Sequence, residues 1–249
     1  MKLDCVIAER TAKTIYRDGD TCIKMFADGY SKADILNEAL NQARVEETGL
    51  TIPRISAVTT VDGKWAILSD YIAGKTLAQL MEEDPDHRDA WLERFVELQL
   101  VMHTKTNPDL NRLTDKLKRR ICEAEIDAVT RYDLLTRLEG MPVHHKLCHG
   151  DFNPSNVILT DDGTAYILDW AHAAQGNASA DAARTYLLFR LEGDQESAEK
   201  YLELFCEKSR TEKRYVQNWM PLVAAAESVK GDEKEREFLL SWIGVVDYE

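Results

Sequence analysis

The sequence predicts an α+β fold with two lobes, a β-rich amino-terminal lobe and a mainly helical carboxy-terminal lobe. Short apolar segments separated by turn dipeptides fill most of the first seventy residues, with one amphipathic helix among them. Helical patterns follow after residue 77, and one further hairpin interrupts them near residue 160. The stretch from Asp70 to Gly74 is the best candidate for a hinge, which predicts lobes of residues 1–72 and 73–249.

The amino-terminal lobe is predicted to contain a five-stranded antiparallel sheet. CVIAER, TIYRDG and TCIKMF are the first three strands, and Asp18-Gly19 is typical of a two-residue hairpin turn between the second and third. Residues 52–72 return to a β pattern, with Asp62-Gly63 as the turn between two more strands.

One helix is predicted between the third and fourth strands. Ser31 and Asp34 have the spacing of a capping box at its start, and Gly49 provides its stop. Four apolar residues at helical spacing predict the face that covers the sheet, namely Leu36, Ala39, Leu40 and Ala43.

The carboxy-terminal lobe is predicted from a series of helical segments, among them DHRDAWLERFVELQLVMHT and LNRLTDKLKRRICEAEI. The segment VILTDDGTAYILDW differs from these because it contains two short apolar runs joined by Asp162-Gly163. A β-hairpin is therefore expected within the helical lobe.

The bulk composition argues against some partners. The chain has 31 Lys and Arg against 44 Asp and Glu, a formal net charge of −13, which disfavours nucleic acid or an anionic membrane as the main partner. Its five cysteines form no CxxC pair, which indicates a reducing compartment. Because no apolar run approaches the length of a membrane span and the amino terminus lacks an apolar signal region, a cytoplasmic protein is expected. Nothing in the sequence indicates an oligomeric state.

Lys24 is a charged residue inside the apolar strand TCIKMF. A lysine in such a place needs a carboxylate partner or a route to solvent. The following helix offers Glu38, which lies about one turn from Ile35 and Gln42 and so can point at the sheet. Such a pair would leave the ammonium group free to meet phosphate oxygens, whereas the alternative for these two residues alone is a solvated lysine on an edge strand.

The segment HGDFNPSN, residues 149–156, places a carboxylate at Asp151 and an amide at Asn156. Taken alone, it is either a tight loop rich in turn-forming residues or a catalytic loop for phosphoryl transfer. Asp169 ends the strand AYILDW, and antiparallel pairing in the expected hairpin would bring it near Asn156. Hard oxygen ligands placed together in this way suit a Mg²⁺ ion that carries nucleotide phosphates.

In order and spacing, these residues resemble the protein-kinase signature of a strand lysine, a helix glutamate, a catalytic Asp with an Asn five positions later, and a metal-binding Asp. The loop here reads His149-Gly150-Asp151, however, and Asp169 is followed by Trp170-Ala171 and by no APE motif. This pattern looks like the aminoglycoside phosphotransferase and choline kinase group of small-molecule kinases, from about Ala8 to the 180s. The resemblance implies a bilobal protein-kinase-like fold. Because glycine replaces the arginine that reads an activation-loop phosphate, no activating phosphorylation is expected.

The resemblance also implies a role for each of these residues. Asp151 would be the catalytic base that orients the acceptor hydroxyl, and Asn156 and Asp169 would bind Mg²⁺. Lys24, positioned by Glu38, would hold the α- and β-phosphates of ATP.

Further roles follow for the nucleotide-binding lobe. The loop between the first two strands, RTAKT, contains no glycine, so Thr11 and Lys13 would have to serve the phosphates. Asp70 and Ile72 would contact adenine through the backbone. The choice between ATP and GTP stays open.

Three residues are expected to support the catalytic loop. By the same resemblance, His149 braces the loop, His103 at a helix end is a supporting histidine, and Asp181 is structural.

The expected acceptor is a small molecule with a hydroxyl group, such as an aminoglycoside-like amino sugar, a sugar or an amino alcohol. Acidic side chains of the carboxy-terminal helices would suit a cationic acceptor if they face the cleft, and indicate only solubility if they face water. These acids are Asp127, Asp133, Glu192, Glu227, Asp247 and Glu249. Two alternatives are a catalytically silent pseudokinase or nucleotide-binding scaffold, and a protein serine/threonine kinase, for which the stretch from Asp169 to Asp181 is short.

Overall fold

The computed structural model describes residue 3, residues 5–10 and residues 12–244. Contacts between residues divide the chain into two compact units. The first comprises the chain up to Glu83 together with Pro154–Ala173, and the second comprises Asp84–Asn153 and the chain from Ala174 onward. The expected lobe boundary at residue 72 stays a prediction. In this division, residues 73–83 and the predicted hairpin, within Pro154–Ala173, belong to the same unit as the amino-terminal sheet.

The first unit contains the predicted five-stranded antiparallel sheet, in the order β1-β2-β3-β5-β4. Its strands are β1 Cys5–Arg10, β2 Lys13–Asp18, β3 Thr21–Phe26, β4 Ile55–Val61 and β5 Lys64–Asp70.

The turn between β4 and β5 lies where it was predicted, whereas the turn between β2 and β3 is shifted by one residue from the predicted Asp18-Gly19. Asp62 and Gly63 both have positive φ, as the two central residues of a type I′ turn require. In the β2-β3 hairpin, Asp18 pairs with Thr21, so the turn itself is Gly19-Asp20.

Helix α1, Lys32–Glu46, begins as predicted at Ser31, whose side chain accepts a hydrogen bond from the backbone N–H of Asp34. Of the four residues predicted for the buried face, only Ala39 is buried, whereas Leu36 and Leu40 are 44% and 48% exposed and Ala43 is also exposed. The buried residues include Ile35, Glu38, Ala39 and Val45. Ile35 and Ala39 pack on Phe26 and Ile67 of the sheet. The helix is thus oriented with Glu38 facing the sheet. The spacing of apolar residues alone does not reveal that a charged residue lies on the buried face.

A second, three-stranded sheet completes the first unit. Strand β6, Lys75–Thr76, pairs with β8, Val157–Leu159, which pairs in turn with β9, Ala165–Ile167. The last two strands are the hairpin predicted from VILTDDGTAYILDW. Gly74 permits the close approach of β6, since a Cβ atom there would lie 2.2 Å from the carbonyl oxygen of Leu159. Helix α2, Leu77–Glu83, follows β6.

The second unit is mainly helical, as predicted. Its helices are α3 Arg88–Met102, α4 Leu113–Glu123, α5 Ala128–Gly140, α6 Ala178–Leu191, α7 Gln195–Ser209, α8 Lys213–Gln217, α9 Met220–Glu227 and α10 Glu233–Ser241. Two short antiparallel strands, β7 Lys146–Cys148 and β10 Ala174–Gly176, pair within it. Among the described residues, no helix combines the length and the apolar composition that crossing a membrane requires.

Candidate active site

In the first unit, Lys24 connects two carboxylates. Its Nζ lies 2.5 Å from Glu38 Oε1 on α1 and 3.2 Å from Asp169 Oδ1, just after β9. Strand β3 lies between β2 and β5, so the alternative of a lysine on an edge strand is excluded. The sheet, the helix and the hairpin thus each contribute one member of this charged network.

The charges in this network reinforce one another. Burial by itself would lower the pKa of Lys24, but the carboxylates of Asp169 and Glu38 outweigh it and hold that pKa above its usual value. Burial would likewise raise the pKa of Asp169, yet the ammonium groups of Lys24 and Lys13 hold it well below its usual range. Lys24 is therefore a cation and Asp169 an anion throughout the neutral pH range.

Lys13 also contacts Asp169, with its Nζ 2.9 Å from Oδ2. The two oxygens of this one carboxylate therefore each meet an ammonium group. The expected contact of Lys13 with nucleotide phosphates stays a prediction. Thr11, for which the same role was expected, lies outside the described residues.

Asn156 and Asp169 come from the two ends of the β8-β9 hairpin. The backbone N–H of Leu168 donates a 2.8 Å hydrogen bond to the carbonyl oxygen of Asn156, so the hairpin brings Asn156 next to the residue that precedes Asp169. Asp169 itself has φ 59° and ψ 66°, the left-handed region that non-glycine residues seldom occupy. This conformation directs the chain out of β9 into the turn Trp170–His172, where the carbonyl of Ala171 accepts a hydrogen bond from Asn41 of α1.

The donor chemistry at this position fits Mg²⁺. Asp169 supplies an ionised carboxylate and Asn156 an amide oxygen, and Mg²⁺ takes such hard oxygen ligands while its other positions are filled by water and phosphate oxygens. Within the described part of the chain, no group of three or more His, Cys, Asp or Glu side chains is arranged to hold a metal ion by itself.

The second unit holds the loop that carries Asp151. Asp181 is 2% exposed, and its carboxylate accepts hydrogen bonds from the backbone N–H groups of His149, at 3.2 Å, and Gly150, at 2.7 Å. It also lies 3.0 Å from Nε2 of the buried His103. Burial would raise the pKa of Asp181, but these partners lower it below its usual value.

The loop is also fixed on its apolar side. Phe152 is fully buried, with its ring stacked on Phe95 at a centroid distance of 4.3 Å. Its carbonyl oxygen accepts a 2.9 Å hydrogen bond from the hydroxyl of Thr185. Gly150 has φ +80°, which lets the chain turn between the buried His149 and the half-buried Asp151.

The Asp151 side chain is 30% exposed and has an arginine as a neighbour. Nη2 of Arg184 lies 3.8 Å from Asp151 Oδ1. Burial and the negative charges of Asp194 and Asp151 raise the pKa of Glu192, which places Glu192 within electrostatic reach of the loop. Arg184 did not figure among the residues predicted from the sequence.

Asp70 and Ile72, the residues expected to contact adenine, lie at and just after the end of β5. A carboxylate oxygen of Asp70 accepts a hydrogen bond from the backbone N–H of Arg54, so this side chain holds the end of the sheet. Ile72 is half-buried in the irregular stretch after β5. The proposed adenine contacts of Asp70 and Ile72 therefore stay predictions.

Comparison with known proteins identifies the family. The model of the phosphotransferase enzyme family matches residues 8–217, most of the chain. The chain therefore belongs to the phosphotransferase enzyme family. This membership confirms the expected resemblance and the expected class of enzyme, a small-molecule kinase. A search of curated proteins found no match.

Solved structures confirm the kinase-like α+β fold. A thermostable mutant of aminoglycoside phosphotransferase APH(4)-Ia, in ternary complex with AMP-PNP and hygromycin B, matches this phosphotransferase with a TM-score of 0.70 and 16% identity over 96% of this chain and 90% of that one. Choline kinase LicA from Streptococcus pneumoniae matches with a TM-score of 0.66 and 15% identity over 95% and 90% of the two chains. At this identity, the likeness establishes the fold alone.

Proposed function

We propose that this phosphotransferase moves the γ-phosphoryl group of ATP to a hydroxyl group of a small molecule. The observation that carries the proposal is the network in which Lys24 lies between Glu38 and Asp169. A lysine held by a helix glutamate, with a carboxylate at the end of the catalytic hairpin, is the arrangement that kinases use to receive a metal-bound nucleotide. Structural neighbours in complex with ADP, AMP-PNP and AMP support a nucleotide substrate.

Lys24 would contact the α- and β-phosphates. Its raised pKa keeps its positive charge, and Glu38 fixes the direction of the side chain at little entropic cost when the phosphates bind. Lys13 would also contact the phosphates, because its ammonium group lies beside Asp169, the proposed Mg²⁺ ligand.

Asn156 and Asp169 would hold Mg²⁺. When bound, the ion would neutralise charge on the phosphate oxygens. The low pKa of Asp169 ensures that its carboxylate is ionised for this role without a proton being displaced.

Asp151 would orient the acceptor. The acceptor oxygen attacks the γ-phosphorus, the bond from that phosphorus to the bridging oxygen of ADP breaks, and the hydroxyl proton passes to the Asp151 carboxylate. Asp181 and His149 would act only as positioning residues, because their contacts fix the loop backbone.

The family match favours this function over the alternatives. A pseudokinase would lack a nucleotide-binding or catalytic side chain. Here Lys24, the carboxylates of Asp151 and Asp169, and Asn156 are all present. A protein kinase is disfavoured because the matching family is one of small-molecule phosphotransferases. An amino sugar, a sugar or an amino alcohol is the class of acceptor that the neighbours support, since one of them was solved with hygromycin B and another is a choline kinase. We also place the protein in the cytoplasm, in keeping with its free cysteines.

A coupled assay of ADP release tests the proposal. The enzyme with Mg·ATP is presented with aminoglycosides, choline, ethanolamine, neutral sugars and sugar acids, and GTP replaces ATP in a parallel series. Turnover above the acceptor-free rate with any hydroxyl compound supports the proposal. Nucleotide binding without ADP release across the panel, and without slow hydrolysis by water, would favour the pseudokinase instead.

A further inference from the structure

Arg184 is a half-buried arginine, two of whose nitrogen atoms have unused hydrogen-bonding capacity. Its Nε and Nη1 atoms are buried and have no hydrogen-bond partner among the described residues. Its Nη2 atom lies 3.8 Å from Asp151 Oδ1 and 3.7 Å from Glu227 Oε2, both beyond hydrogen-bonding range. A guanidinium group has five N–H donors, and leaving them unsatisfied in a buried place costs free energy.

Arg184 belongs to a group of four cationic side chains from three regions of the second unit. Lys116 and Arg120 lie one turn apart on α4, Arg184 lies on α6, and Lys230 follows α9. Burial and the positive charges of Arg120, Lys230 and Arg184 lower the pKa of Lys116 to about 8, against the opposing charge of Glu227. These positive charges therefore disfavour the protonated form of Lys116.

Three carboxylates oppose these cations. Glu227 binds Nη1 of Arg120 through Oε1 and lies near Arg184 through Oε2, so it is shared between two arginines. Asp151 is the proposed base, and its negative charge contributes to the raised pKa of Glu192. Arg184 therefore has carboxylates on two sides, but neither comes close enough to accept a hydrogen bond from it.

The position of Arg184 decides which acceptor charge is tolerated. Any acceptor whose hydroxyl reaches Asp151 also has the Arg184 guanidinium as a neighbour, because the two side chains are 3.8 Å apart. The guanidinium would repel a cationic group there, whereas a carboxylate or phosphate could accept a charge-assisted hydrogen bond from it. The Arg184 side chain is 16% exposed, which leaves an edge for a small ligand to approach.

We infer that the acceptor carries an anionic group, a carboxylate or a phosphate, which Arg184 binds while its hydroxyl lies at Asp151. This inference rests on the proposed phosphotransferase function, but it replaces the amine-bearing acceptors of the structural neighbours with hydroxy acids or phosphorylated polyols. Two of the other acids first considered for a cationic acceptor have partners of their own. Asp127 caps α5, Asp133 pairs with Arg137, and Asp247 and Glu249 lie outside the described residues.

The test follows the arginine Nε–H NMR signals of the full chain during titration with four small probes. Inorganic phosphate and D-glycerate are the anionic probes, glycerol is the neutral one, and serinol is the cationic one. The Arg184 signal is assigned by its loss in Arg184→Met, and Arg137→Met, which changes an exposed arginine of α5, serves as the matched control.

We expect at least one anionic probe to shift the Arg184 signal at millimolar concentration, at least about tenfold more tightly than glycerol or serinol. A response to phosphate alone would indicate a phosphorylated acceptor, and a response to D-glycerate would indicate a hydroxy acid. Absence of a shift with both anions, or tighter binding of serinol, would overturn the inference. ADP release is measured separately, so an enzyme that binds D-glycerate at Arg184 but never releases ADP would contradict the proposed function and leave the anion site standing.

Discussion

Replacement of Lys24 by methionine should destabilise the protein through the carboxylate that it leaves behind. The Lys24 and Glu38 side chains are 18% and 6% exposed, so Glu38 would remain buried without its partner. Removing one member of a buried ion pair typically costs about 3–5 kcal/mol, and partial solvent access at Lys24 favours the lower end, about 3 kcal/mol. For a chain of this length, about 3 kcal/mol corresponds to a fall in Tm of roughly 6–12 °C.

A second substitution separates stability from function. In Lys24→Met/Glu38→Leu both charges are gone, and replacing a whole buried pair by apolar groups is often nearly neutral, so the free energy of unfolding should return to within about 1 kcal/mol of the wild type. Both variants should lose at least about a hundredfold in ADP release, because neither can contact the phosphates. Lys64→Met is the control: this side chain is 42% exposed and lies 3.5 Å from Asp28, so a change below about 0.5 kcal/mol is expected.

The assay is thermal unfolding of the four proteins at one pH, together with ADP release below their Tm values. If Lys24→Met were as stable as the wild type, the lysine would not be the counterion of Glu38. If the double variant regained stability and also full activity, Lys24 would have no role at the phosphates.

Two further predictions concern the second unit. The Asp181 carboxylate accepts two backbone hydrogen bonds, and in Asp181→Asn the amide hydrogens would face one of these N–H donors. We therefore expect a loss of about 3 kcal/mol in unfolding free energy and a fall in ADP release. A wild-type Tm and wild-type turnover would show that the loop keeps its conformation without this carboxylate. Lys116 has a lowered pKa of about 8, so the folded state binds fewer protons than the unfolded state between about pH 8 and 10.5, and stability should rise with pH there by up to about 1.4 kcal/mol per unit. This alkaline gain should disappear in Lys116→Met, and an identical pH dependence of Tm in the two proteins would contradict the assignment.

Local patterns predicted the strands of the five-stranded sheet, the turn at Asp62-Gly63 and the pairing of Lys24 with Glu38. An apolar strand cannot hold a lysine without a partner, and only one nearby helix carried a carboxylate at a usable position. The hairpin between Asn156 and Asp169 followed equally from two apolar runs around a turn. These features depend on neighbours in sequence or on one unavoidable charge requirement.

Features that depend on distant residues were not predictable in the same way. The contact of Lys13 with Asp169 joins residues far apart in sequence, and nothing around Lys13 indicates it. The buried face of α1 was predicted correctly only at Ala39, because apolar spacing does not show that the charged Glu38 must face the sheet. Arg184 was missed because its one signal was its position three residues after Asp181, which places both on the same side of α6.

The most direct test of the account is ADP release by the wild type, Asp151→Asn and Asp161→Asn with Mg·ATP and the acceptor panel. Asp161 lies in the exposed turn between β8 and β9, and its replacement controls for the loss of one negative charge. We predict that the wild type and Asp161→Asn turn over at similar rates, while Asp151→Asn keeps the wild-type Tm and loses at least about a hundredfold in rate. Near-full activity of Asp151→Asn would contradict the assignment of this loop as the catalytic centre of the phosphotransferase.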